Sequence, residues 1–222
     1  MRPHNLTLVM LGAGLLWFGW FGFNAGSALG ANGTAGFAMM NTILATCAAM
    51  LAWLVTERVR DGKPTSLGAA SGIVAGLVAI TPSCASVSPL GGIAIGLIAG
   101  VLCALAVGLK FRFGYDDSLD VVGIHLVGGL VGTVLIGLFA DPGSPAAVAG
   151  LFYGGGVDQL WRQVVGALAV LAYSFVVSLA LAFLVKAVVG LRITPEEEAP
   201  ASTRSSTRRP GTTSPATAPS RA

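Results

Sequence analysis

The sequence predicts an all-α polytopic membrane protein of six transmembrane helices, and three observations carry that prediction. Of the 222 residues, 54% are apolar and only 10% charged, against about 25% charged in soluble domains. Mean hydropathy is +0.79. The charges are also segregated, with none from residue 5 to 56 and none from 64 to 109. Glycine is frequent, 31 residues in all, and it repeats at four-residue spacing, as close helix packing in lipid requires.

The charge-free intervals place the elements in order. The first holds two spans, residues 6–28 and 36–55, parted by Leu-Gly-Ala-Asn-Gly-Thr. The second holds spans 67–80 and 90–109, with Thr-Pro-Ser-Cys-Ala-Ser-Val-Ser-Pro as a turn-rich break between them. The fifth covers 119–140, and a Gly/Pro-rich loop leads to the sixth at 164–189. The first span is too long for the apolar core of a signal peptide and is read as retained. Residues 1–193 form the transmembrane domain. The tail 194–222, rich in Pro, Ser, Thr, Ala and Arg, has little to bury and is expected to be disordered.

Lysine and arginine orient the spans. One side collects Arg2, Arg58, Arg60, Lys63, Lys110, Arg112, Arg192 and the tail arginines, while the other has only Arg162. The positive-inside rule then puts both termini in the cytoplasm of a multi-pass protein in the plasma or inner membrane. Glycine ladders at 22/26/30, 68/72/76, 92/96/100 and 128/132 predict faces where two backbones approach closely. Cys47, Cys84 and Cys103 lie in apolar runs as packing residues, not as a disulfide framework or a metal site. The net charge of +3 is spread over short loops and the tail, so nucleic acid is not a partner; the lipid bilayer is. No loop is long enough for a catalytic domain, and no P-loop, G-x-G-x-x-G or paired His/Cys spacing occurs. The chain is therefore not expected to be an enzyme or to hold a cofactor or metal.

Two stretches carry chemistry. Between Val121 and Ala140 the only ionisable side chain is His125, which a continuous helix would set roughly 12 Å above Asp117, near mid-membrane. An imidazole at that depth is costly unless it faces a polar path, so it marks a functional site; the alternative is a histidine that only bonds a neighbouring helix. Asp116, Asp117 and Asp120 suit the N-terminus of that helix, where a carboxylate caps free N–H groups. In the first span, Trp20, Phe23 and Ser27 share one helix face at three- and four-residue spacing. An aromatic face can hold a desolvated cation and hydroxyls can replace its lost water; plain helix packing is the other reading, and Trp17 suits an interfacial anchor.

The run W-F-G-W-F-G-F-N-A-G-S-A at 17–28 resembles the sixth membrane helix of the ammonium transporter (Amt/Mep/Rh) family. R-D-G-K-P-T-S-L-G-A at 60–69, G-L-V-A-I-T-P-S-C at 76–84, D-D-S-L-D-V-V-G-I-H at 116–125 and V-G-L-R at 189–192 continue the resemblance in register. It implies transport of ammonium or ammonia through a His-lined hydrophobic pore. In it Ser27 would belong to the outer recruitment site, Phe23 to the gate, Trp20 to the pore lining and His125 to a pair of histidines. It also implies a homotrimer.

Family members have eleven membrane helices, and the resemblance covers the last six. The chain is thus expected to be a C-terminal half, from a truncated or mis-started gene, lacking the partner histidine, the second gate phenylalanine, the vestibule tryptophan and a structural aspartate. One of two inverted halves does not enclose a pore. The alternative is a non-transporting truncated subunit or a pseudogene product. After Gly-Leu-Arg the family's acidic D-x-x-x-H-G-E-x-A-Y segment is replaced by Glu196–Glu198 followed by proline, serine and arginine, which argues against coupling to a PII-type signal protein.

Overall fold

A computed structural model describes residues 3–191. The tail expected over 194–222 lies outside the described residues. Within them the protein is helical, with one isolated bridge, Val87 to Ala140, in place of any sheet. Seven α-helices follow in order: α1 Leu6–Asn24, α2 Gly33–Asp61, α3 Ser66–Ile80, α4 Pro89–Ala106, α5 Leu109–Phe113, α6 Val127–Phe139 and α7 Asp158–Val188. A π-helical turn, Val122–Leu126, precedes α6. Five segments are long and apolar enough to cross a membrane, and α3, at 15 residues, is a shorter sixth apolar helix. The six spans are thus present with shifted ends.

The ends follow from local chemistry. Four helices start on a capping side chain: Asn5, Asn32, Thr65 and Ser88 accept from the N–H groups of Leu8, Ala35, Gly68 and Gly91. Such caps satisfy donors that the helix itself leaves free. The second helix runs past the expected 55 to Asp61, because nothing before Gly62, at φ 82°, breaks it. The fifth span begins at the π-helical turn and not at 119, because Asp120 sits at φ 59°, a left-handed conformation that no α-helix contains.

Contacts group the chain into two units, Met1–Tyr173 and Ser174–Ala222. In the first, α2 is the central helix, gripped between α3 and α4. A Cβ added to Gly72 or Gly76 of α3 would fall 2.8 Å from Met50 Cα or 2.7 Å from Thr46 Cα. One added to Gly96 or Gly100 of α4 would fall 2.2 Å from the carbonyl oxygen of Ala45 or 2.4 Å from that of Ala49. Gly132 of α6 meets the Ala79 carbonyl of α3 in the same way. Three of the four glycine ladders are therefore helix crossings. The fourth is not: Gly22 and Gly26 face open space and Gly30 only the Asn32 side chain. Cys84 and Cys103 are buried free thiols, and Cys47 is a half-buried one.

Buried polar groups tie the loops to this core. Asn41, fully buried on α2, donates to the carbonyls of Cys84 and Val87 at 2.9 and 2.8 Å, holding the break between α3 and α4. In the second unit the described residues from Ser174 onward complete α7, and their apolar side chains are largely exposed, as on a lipid-facing helix.

Candidate substrate pathway

α1 is attached by polar contacts more than by burial. Only Ala13 and Asn24 are buried on it. Asn24 donates to the Thr42 hydroxyl of α2 at 3.0 Å, and one turn earlier Trp20 Nε1 donates to the Thr81 hydroxyl at 2.7 Å. Each threonine in turn donates to a carbonyl of its own helix, Thr42 to Ala38 and Thr81 to Leu77, both at 2.7 Å. With their hydroxyl protons so committed, the threonines present fixed lone pairs to α1, which sets its rotation.

That rotation brings three of the expected site residues together. The Trp20 and Phe23 rings lie 5.6 Å apart at 55°, a tilted pair. Phe23 is 62% exposed, so the ring stands on the uncovered face of α1. Ser27, also exposed, donates its hydroxyl to the Phe23 carbonyl at 2.7 Å and keeps its lone pairs free to accept from a cationic N–H donor. An aromatic pair capped by an acceptor hydroxyl suits a small cation that carries N–H donors.

His125 is reached through α3, which packs against both α1 and the π-helical turn. It is exposed, and among the described residues its imidazole makes no hydrogen bond. It is not brought into contact with Trp20, Phe23 or Ser27 by any ring or hydrogen-bond contact among the described residues. Of the three acids, Asp117 caps the helix: its carboxylate accepts from Val121 and Val122 N–H at 2.7 and 2.9 Å. Asp120 instead pairs with Lys110 at 2.5 Å, and Asp116 accepts from the Ser118 hydroxyl. Among the described residues no group of three or more His, Cys, Asp or Glu side chains converges as metal ligands do.

Residues 1–205 match the Ammonium Transporter Family. The chain belongs to that family. The ammonium transporter of Mycobacterium tuberculosis (strain ATCC 25618 / H37Rv) is 67% identical over 203 residues, 89% of this chain and 43% of the relative. That of Aquifex aeolicus is 55% identical over 197 residues, 88% of this chain and 46% of the relative. Among solved structures, Mep2 of Saccharomyces cerevisiae superposes at a TM-score of 0.82 and 38% identity, covering 88% of this chain and 45% of Mep2. The chain therefore spans less than half the length of each of these three proteins, of which the M. tuberculosis and A. aeolicus relatives are named as ammonium transporters.

Neither Thr81 nor Thr42 stands out in the sequence, although Thr81 lies in a family-like motif: Thr81 at a helix end reads as turn chemistry, and Thr42 sits mid-helix on α2. The only signal available was a hydroxyl inside an apolar run. Replacing Thr81 with valine keeps the shape but orphans the half-buried Trp20 N–H, at a cost of about 1–3 kcal/mol. Thr81→Val should lower the thermal midpoint and shift indole fluorescence, whereas Thr81→Ser, which keeps the acceptor, should do neither.

Proposed function

We propose that the exposed face of α1 and the π-helical turn is one wall of a transmembrane pathway for ammonium and ammonia. The observation that carries the reading is the set of groups these two elements carry: the Trp20–Phe23 ring pair and Ser27 acceptor at one, and the exposed His125 imidazole at the other, on a chain of the ammonium transporter family. Ser27 would receive the ion outside, Phe23 would gate it, Trp20 would line the path beyond and His125 would be one of two pore histidines. Carrying NH4+ whole through apolar surroundings costs several kcal/mol in lost hydration. Releasing the proton, letting NH3 cross and passing the proton along imidazoles avoids most of that cost.

On this reading the chain is the second half of an eleven-helix protein, and a preceding half of inverted topology supplies the opposite wall. That half would cover the open Gly22 and Gly26 of α1. The protein would assemble as a homotrimer in the plasma or inner membrane. Both termini of this chain would be cytoplasmic and PII-type coupling absent. The test is growth on low ammonium of a strain lacking ammonium transporters. Residues 1–222 alone should not restore it. The same chain joined to the portion of the M. tuberculosis relative outside the matched stretch should. Rescue by residues 1–222 alone would refute the half-pore reading, and no rescue by a well-expressed fusion would favour a non-transporting membrane subunit.

A further inference from the structure

The π-helical turn before α6 changes where His125 points. The N–H of Val127 reaches back five residues to the Val122 carbonyl, as well as to that of Ile124. An α-helix advances about 100° per residue. Carried backward at that pitch, α6 would set His125 within about 20° of Gly132 and Ile136, both on its buried face. His125 is instead exposed. A turn closed five residues back winds less per residue, so the residues within and before it are rotated relative to the helix that follows.

Such turns are rare and need outside support. Two pins are present. Asp117, 8% exposed, takes the N–H groups of Val121 and Val122 with its two carboxylate oxygens. Lys110 holds the same corner, donating to the Asp117 carbonyl at 2.9 Å and to Asp120. At the other pin, the buried Gly123 is seated on the C-cap of α4: a Cβ there would lie 2.7 Å from Val107 Cγ1 and 2.9 Å from its Cα and N. The backbone of the turn is thus fixed from below by a carboxylate and from the side by another helix.

We propose that Asp117 and Gly123 are positioning residues that hold this π-helical turn and thereby rotate His125 off the buried face of α6 onto the exposed one. The functional consequence rests on the transport reading above; the geometric claim does not. The chain has two histidines, His4 and His125, so hydrogen–deuterium exchange at imidazole C2, read by mass spectrometry, reports each ring with His4 as internal reference. It is measured on the full polypeptide in membranes. In Asp117→Ala the turn should relax towards α-helical winding, and exchange at His125 should slow several-fold relative to His4, with ammonium uptake falling alongside. Asp117→Asn keeps one acceptor oxygen in the same shape, should fold where alanine does not, and should give an intermediate slowing. Unchanged His125 exchange in either folded variant overturns the positioning role, even if uptake falls. Slowed exchange with undiminished uptake upholds it and overturns instead the part given to His125 in transport.

Discussion

Gly96→Ala should cost the protein its folded state, while Gly36→Ala, the same chemical change on a neighbouring helix, should be neutral or stabilising. At Gly36 an added Cβ meets nothing within 4 Å, so alanine brings its higher helix propensity, up to about 1 kcal/mol, at no steric cost. At Gly96 the same atom would lie 2.2 Å from the Ala45 carbonyl oxygen and 2.9 Å from the Ala45 carbonyl carbon and Cα. These are backbone atoms of α2, which a side-chain rotamer change does not move. Relief requires α4 to retreat from α2. Yet α2 is also clamped on its other side by Gly72 and Gly76 of α3, so the retreat loosens the whole three-helix crossing. Overpacking of this kind costs about 1–3 kcal/mol where neighbours can yield, and more where they cannot. The measurement is the fraction of detergent-extracted protein that stays monodisperse on heating. Gly96→Ala should fall well below the parent at every temperature, and Gly36→Ala should match or exceed it. Equal behaviour of the two variants would mean that α2 and α4 do not cross as closely as described.

The contrast between these glycines also shows what a sequence can and cannot tell about this fold. Helix positions were legible because membrane length and charge-free intervals are local properties of the chain. Four-residue glycine spacing marks a smooth face, but not what lies against it. The same pattern therefore packs at 92/96/100 and stands open at Gly22 and Gly26. Of the candidate site, the grouping of Trp20, Phe23 and Ser27 was legible, because helical periodicity alone joins residues three and four apart. The surroundings of His125 were not. Whether an N–H reaches back four residues or five is a small local choice, biased by the Asp117 carboxylate, by Lys110 and by the seat of Gly123 on Val107 of the preceding helix. One trace of it does exist in the sequence: uniform α-helical winding would put the lone imidazole on the same face as Gly132, where a helix crossing leaves no room for it. The threonine partners of α1 escaped for a similar reason, since a hydroxyl's bonding partner across 61 residues has no local signature.

His125→Leu should abolish most ammonium-driven current in a polypeptide that completes the pore, without disturbing its assembly. Leucine has similar bulk and is at home in an apolar helix, and His125 makes no hydrogen bond among the described residues for the substitution to break. The fold therefore loses little. What is lost is a group that can take a proton on one ring nitrogen and give one up from the other. A positioned proton acceptor typically contributes about 10²–10⁴-fold to a step that needs one, so the current should drop at least about tenfold. Glutamine at the same position separates the two properties, since it can hydrogen-bond ammonia but does not titrate. His125→Gln should also lose current while keeping a more polar path. Alanine is less informative, because the cavity it opens admits water, and with it ions. Current should be recorded from reconstituted vesicles under an ammonium gradient, with potassium as the competing ion. If the leucine variant matches the parent in both current and selectivity, His125 only fills space beside α6, and the proton passes by another route.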